Sequence, residues 1–288
     1  MAEQTGGQVI SLDGKTARGS RDRNQNRSAL HTVSAWANDN RLVLGPEAVE
    51  EKSNEITAIP KLLALLELKG SLVTIEARGC QREIATQLLQ QQGNSVLSFQ
   101  GNPTQLHEGV KEFLETAEAV NYAQVQYDFQ AEIDKGPGRV ETRRDWLTEP
   151  LESLPSVESW PGLNRIGMVE RMSWIAGKET RERRYFINSI TADAKRFAQA
   201  VREHWNIENR LHWRLDVLFH EDANRIRPGN APTIMTVIRP LCMGLWDADM
   251  TRTNLATTRR KASWNDSYRA SLVFGKGFLG GGPDLLAN

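Results

Sequence analysis

Residues 72–99 read LVTIEARGCQREIATQLLQQQGNSVLSF, and this stretch decides the class of fold. Residues 72–75 are an unbroken apolar run of strand type. Residues 82–92 carry helical spacing that stops at Gly93, and residues 95–99 form a second strand-like run. Strand, helix and strand in that order imply parallel strands joined by a crossover.

On the N-terminal side, residues 9–12 make a short β-type run closed by Asp13-Gly14. Residues 30–37 and 41–44 continue as strands around a turn at Asn38-Asp39-Asn40. Residues 58–68 then show helical apolar spacing through Ile59, Leu62, Leu63, Leu65 and Leu66, with Thr57 as the expected N-cap and Pro60 in the first turn. A three-stranded antiparallel start followed by crossover units predicts an α/β protein with a mixed sheet flanked by helices. The ribonuclease H-like architecture has this order, and other mixed α/β folds share it.

On the C-terminal side, residues 104–117 read as a helix. The pattern then turns to β over 124–133, 139–147, 165–175 and 183–187, broken by Lys135-Gly136-Pro137-Gly138 and Gly177-Lys178. Residues 118–190 are therefore expected to be an inserted β-rich subdomain. A helical pattern returns over 192–219, with Thr191 as the cap and Asp193 as a first-turn charge. The expected division is 1–117 as the first part of the catalytic core, 118–190 as the insertion, 191–240 as the closing core helices, and 241–288 as a divergent tail whose Gly280 to Pro283 reads as flexible.

Composition excludes several classes. A hydrophobic fraction of 39% and a charged fraction of 25% fit an ordinary globular protein. No run approaches the roughly 18 apolar residues of a membrane span, and residues 1–8 lack the marks of a signal peptide, so a cytoplasmic protein with no membrane partner is expected. Cys80 and Cys242 have no partner at metal spacing and read as reduced thiols. Basic and acidic residues balance at 36 each, so any contact with nucleic acid must come from local clusters. One contains Lys15, Arg18, Arg21, Arg23 and Arg27; the other contains Arg252, Arg259, Arg260, Lys261 and Arg269. Either cluster can equally be a solvated face.

Three carboxylates fall at informative places. Asp13 follows the first apolar run and Glu76 the fourth, so two acids meet if these strands are neighbours. Taken singly, Asp13 is also read as a hairpin Asp-Gly and Glu76 as a strand-end charge. Glu208 lies in a three-four stripe with Phe197, Val201, His204, Leu211, Leu215 and Leu218, where a carboxylate is costly unless paired, protonated or bound to metal. A buried ion pair is the competing reading. Two strand-end acids and one helical acid are what a two-metal phosphodiester site requires, because Mg²⁺ and Mn²⁺ prefer carboxylate oxygens. His204, His212 and His220 recur every eight residues, drifting about 80° around a helix each time, and are read as structural or DNA-contacting rather than as a zinc site.

These residues also carry a resemblance. Leu12-Asp13-Gly14-Lys15-Thr16 with Arg18-Gly19-Ser20, Glu51-Lys52-Ser53-Asn54-Glu55-Ile56, His204-Trp205-Asn206-Ile207-Glu208-Asn209, Leu211-His212-Trp213 and Leu215-Asp216-Val217 closely resemble the H-repeat-associated (Rhs-linked) DDE transposases of bacterial insertion sequences. The last cluster continues through Glu221-Asp222 and Arg225-Ile226-Arg227. The resemblance implies a ribonuclease H-like, retroviral integrase-type fold with a β insertion before the last catalytic helix. It implies Asp13, Glu76 and Glu208 as the catalytic, metal-binding acids, two Mg²⁺ or Mn²⁺ ions, and DNA transposition on double-stranded element ends and target DNA by a homo-oligomer. Within it, Lys15 and Arg18 are expected phosphate contacts and His204 and Asn209 are expected to orient Glu208 or a phosphate, while Arg21 and Arg23 are expected DNA contacts from the N-terminal basic cluster.

Two departures from the family pattern bear on activity. Where the family has Asp-Ala at the strand motif, this chain has Glu76-Ala77. One added methylene displaces the carboxylate by roughly 1 Å, a shift that can cost about 10²-fold in rate. Arg78, two residues on, is expected to pair with Glu76. The first catalytic strand also starts near residue 9, where the family carries a further N-terminal segment, so part of the end-recognition apparatus is expected to be missing. The alternative expectation is a truncated or degenerate, non-catalytic remnant that binds DNA or a partner protein.

Overall fold

A computed structural model of the chain describes residues 7–49, 54–76, 79–99, 105–150, 152, 154, 157–249 and 254–275. Nine strands form one mixed sheet in the order β3-β2-β1-β4-β5-β9-β8-β7-β6. β1 (Val9–Ala17), β2 (Leu30–Ala37) and β3 (Leu42–Ala48) are antiparallel; β4 (Leu72–Ile75) lies parallel to β1, and β5 (Asn94–Ser98) parallel to β4. This is the antiparallel start and parallel continuation expected from the sequence.

The pleat sorts the side chains of the central strands. Ile10 and Leu12 of β1, with Val73 and Ile75 of β4, pack with α1 (Glu55–Ala64), α2 (Arg82–Gln90) and α3 (Gln105–Ala119). Val9 and Leu72 face the other way, onto α4 (Ala194–Asn206) through Phe197, Ala200 and Val201. Burial on both faces explains why these runs are mostly apolar, interrupted only by the small hydroxyl residues Ser11 and Thr74. The same period of two sends Ser11 and Asp13, and Thr74 and Glu76, toward the side on which α4 lies. Ser11 Oγ donates to the Glu203 carbonyl of α4, and Thr74 Oγ1 lies 2.9 Å from His204 Nδ1.

β6 (Tyr127–Gly136), β7 (Arg139–Thr148), β8 (Arg165–Ile175) and β9 (Lys178–Asn188) form an antiparallel meander. It joins the core through β9, which pairs with β5, so the β-rich region extends the central sheet. Beyond α4 the chain makes a π-helical stretch, Ile207–His212, then α5 (Trp213–Phe219), α6 (Ala231–Asp247), α7 (Leu255–Trp264) and α8 (Asp266–Phe274). α6 crosses position 240 without a break and covers the β3 edge, where Met243 meets Trp36, Ile207, Leu211 and Leu215. No helix among the described residues is long and apolar enough to cross a membrane. Both cysteines are free thiols.

Several local expectations are corrected. Asp13-Gly14 is not a hairpin turn: β1 runs on to Ala17, with Asp13 opposite Ser34 and Gly14 opposite Val33. Gly14 makes room for two side chains instead, since a Cβ there would lie 2.3 Å from Glu55 Oε1 and 2.8 Å from His31 Nε2 and would displace them. α1 starts three residues early, its N-cap being Asn54, which accepts from the Ile56 N–H. α4 is capped by Asp193, which accepts from the Arg196 N–H, and not by Thr191. Residues 280–283 and Arg252 lie outside the described residues.

Candidate metal centre

Leu12 pairs with Ile75 across the parallel β1–β4 ladder, so the next residue on each strand, Asp13 and Glu76, leaves the sheet side by side on the face toward α4. The opposite wall is the π-helical stretch that follows α4. Widened turns of this kind are rare and recur at functional sites. Here the stretch contains Glu208 and His212, and His212 Nδ1 sits 3.4 Å from Asp13 Oδ2 and 4.0 Å from Glu208 Oε2. Ligand atoms of Asp13, Glu208 and His212 all lie within 4.8 Å of one another.

The electrostatics are those of a crowded acidic site. Burial pushes the Asp13 carboxyl up to about 8, with Glu208, Glu76 and Glu55 adding like charge and the Gly14 N–H, 2.8 Å from Oδ1, acting the other way. Glu76 is also raised, chiefly by burial and against the pull of Arg184. Glu208 is lowered, first by the neighbouring His212 ring. His204 is pushed down to about 4 by burial, so near neutrality it is an uncharged ring. Two carboxylates and an imidazole around one point fit a divalent cation, whose charge would favour the ionised form of Asp13 that burial and its acidic neighbours oppose.

The other candidates are placed as follows. Glu208 is more than half exposed at the side chain, so it looks into the site and not into the core stripe its spacing suggested. The buried acid of the set is Asp13. Glu76 stands apart from the close group and pairs with Arg184 of β9 at 3.2 Å, with His204 Nε2 at 3.7 Å. The expected partner Arg78 lies outside the described residues. His204 is buried against Thr74 and Glu76 and has little surface to offer DNA. Asn209 is exposed beside Glu208 in a groove between α4 and the meander. Lys15 is largely buried, 2.8 Å from Asp216 and 3.7 Å from Asp222, and Arg18 lies 3.4 Å from Asp222.

Arg18, Arg21 and Arg23 line a cleft with Arg225 and Arg227, brought together from segments about two hundred residues apart. Arg21, Arg23 and Arg225 have no side-chain partner among the described residues. Sequence reasoning missed His212, whose signal was its i,i+4 position after Glu208. It also missed Glu55, which is held 2.7 Å from His31 beside Gly14, and Arg184, for which no local signal existed.

A family model described as a transposase DDE domain matches residues 4–244. "Putative transposase YncI" of Escherichia coli O157:H7 is 38% identical over 293 residues, covering 99% of this chain and 74% of its own length. "H repeat-associated putative transposase YhhI" of Escherichia coli strain K12 is 36% identical over 275 residues, covering 93% of this chain and 72% of its own length. The ribonuclease H-like sheet, the acids at its β1–β4 switch and these matches agree, and the chain belongs to the DDE transposase family.

Proposed function

We propose that this chain is the catalytic domain of an insertion-sequence transposase that cuts DNA at the element's ends and joins it to target DNA in the cytoplasm, as a homo-oligomer on the DNA. The observation that carries the reading is the convergence of Asp13, Glu208 and His212 within 4.8 Å, beside the strand end that bears Glu76. Asp13, Glu76 and Glu208 would hold the ions. Two Mg²⁺ or Mn²⁺ ions, when bound, activate the attacking oxygen and stabilise the leaving one.

The protein groups have separate tasks. Asp13 is fixed by the Gly14 N–H and the rigid β1 ladder, while Glu208 rides on the π-helical stretch and is held charged by His212. Arg21, Arg23 and Arg225 offer forked donors suited to backbone phosphates, and Arg18 can join them. Lys15 acts indirectly: its ion pairs with Asp216 and Asp222 tie β1 to the segment that follows the catalytic helix. Asn209 lines the groove next to Glu208 in sequence and would offer its amide to a phosphate there.

The test is Mn²⁺-dependent cleavage and strand joining of labelled duplex carrying an element end and its flank. The chain should cut, and Glu208→Gln should not, with an unchanged circular dichroism spectrum. Undiminished cleavage by Glu208→Gln would overturn the site. Activity appearing only in Glu76→Asp would identify a domain disabled at one residue, and silence from both would favour a DNA-binding remnant.

A further inference from the structure

Glu76 is the one acid of the set that the close group does not include, and a specific residue occupies it instead. Arg184 reaches it from β9, a strand 108 residues away in sequence, with Nη1 3.2 Å from Glu76 Oε1. The guanidinium is held on two further sides. Its Nε donates to Glu182 Oε1 at 2.8 Å, and its plane lies 4.5 Å over the Trp205 ring of α4. The side chain is 18% exposed, so this is an ordered contact and not a surface pair. We infer that Arg184 is a positioning residue that withholds Glu76 from the cation site until a DNA phosphate draws the guanidinium away.

The groove between the meander and α4 gives the contact a second state. Arg184 lines it together with Arg143, Arg171, Arg202 and Asn209 and with the carboxylates Asp134, Glu141 and Glu182, so cations outnumber anions, and Trp205 forms part of its wall. A phosphate entering there offers Arg184 an alternative anion, with other arginines beside it. Trp205 supports the guanidinium by cation–π contact, which holds Arg184 at the groove wall. Glu76 is then free to turn to the ions. A carboxylate tied to a guanidinium is a poor ligand, because a metal must first break a charge-assisted hydrogen bond. Cation affinity and DNA binding become coupled, each raising the other by the same factor. The length of Glu76 fits the arrangement, since an Asp at this position would fall short of Arg184 by about one methylene, roughly 1 Å.

This inference rests on the cation site proposed above, and its test separates the two. Mn²⁺ binding to the full chain is followed by the loss of the free-ion electron paramagnetic resonance signal, with and without a short DNA duplex. Arg184→Met keeps an apolar stem against Trp205 and removes the charge. Without DNA it should bind Mn²⁺ roughly tenfold more tightly than the unsubstituted chain, a coupling of ordinary size for charged groups in contact. DNA should tighten binding by the unsubstituted chain more than by the variant. The gain should vanish in a Glu76→Gln background. A gain that persists there is general charge repulsion, and it overturns the role assigned to Arg184, as does equal affinity of the two chains. If Arg184→Met does not fold, Arg184→Lys, which loses the planar fork, should give a smaller gain with the same dependence on Glu76; no gain overturns the role. Asp13→Asn must weaken Mn²⁺ binding in every case. If it does not, the cation site itself is wrong; if it does while Arg184→Met changes nothing, only this inference fails.

Discussion

The centre of the sheet and the outer part of its meander are held in different ways. β1 and β4 are packed on both faces by aliphatic side chains, with Ile10, Leu12 and Val73 essentially inaccessible. At the other end, Trp146, Ile166, Met168 and Ile187 carry the apolar core into β7, β8 and β9, but β6 is exposed over most of its length and the outer part of the meander is held by ion pairs. Glu170 on β8 is fully buried, with Arg183 at 2.8 Å and Arg181 also bonded to it, and Glu118 of α3 closes the cluster 2.6 Å from Arg183. The apolar centre fixes backbone positions and so decides where Asp13 and Glu76 stand. The charged outer part holds itself by directional pairs whose partners can be exchanged, which suits a surface that must meet phosphates.

That contrast can be broken at several points. Ile10→Ala in the apolar centre should cost about 2–5 kcal/mol in chemical denaturation, whereas Ile133→Ala, at an exposed site on β6, should stay within about 0.5 kcal/mol. Equal losses would remove the distinction. Glu170→Ala should cost about 2–3 kcal/mol, below the full penalty for stranding buried charge, because Glu118 and solvent remain available to the arginines.

The metal-free site should also show in a pH series. Asp13, raised from its ordinary 3.8 to about 8, lends stability that is complete below pH 3.8 and lost as pH rises through about 8. His204, lowered from 6.5 to about 4, works in the opposite direction and loses stability as pH falls from 6.5 to about 4. The two oppose each other between about 4 and 6.5; above that, Asp145, pushed up to about 7 by burial, adds a fall of the same sign, so the Asp13 contribution is read by difference. In EDTA, Tm should fall between pH 6.5 and 8, and Asp13→Asn should lessen that fall; an unchanged slope in the variant would remove Asp13 as a source of it. The smallest expected effects belong to the arginine cleft. Arg21→Ala and Arg225→Ala should each lower the salt slope of DNA binding by about one, uniformly across sequences. A slope that does not move would return these arginines to the role of solvated charges.

What the sequence disclosed follows from the same division. The runs at 9–12, 72–75 and 95–99 were legible because strands buried on both faces leave apolar stretches broken only by small Ser and Thr residues. Asp13-Gly14 misled because turn chemistry is local, whereas the glycine makes room for Glu55 and His31, which crowd it from other elements. Glu208 was found on a helical stripe, but its orientation was misjudged because the three-four rule assumes α geometry and the helix is π-helical from Ile207 to His212. β9 was read as residues 183–187 and runs Lys178–Asn188, because its first half is charged and carries no apolar alternation. Arg184 lies in the part that was read as strand, but its partner was not legible there. Its meeting with Glu76 depends on the β5–β9 pairing, which no local pattern specifies.

The central claim is that Asp13, Glu208 and Glu76 are ligands of divalent ions. It is tested most directly by anomalous X-ray scattering from crystals of the chain grown with Mn²⁺ and a short DNA duplex. The account expects a manganese peak in contact with both Asp13 and Glu208, and a second that includes Glu76 once Arg184 has moved. Manganese absent from these carboxylates, or present only elsewhere on the surface, would contradict it.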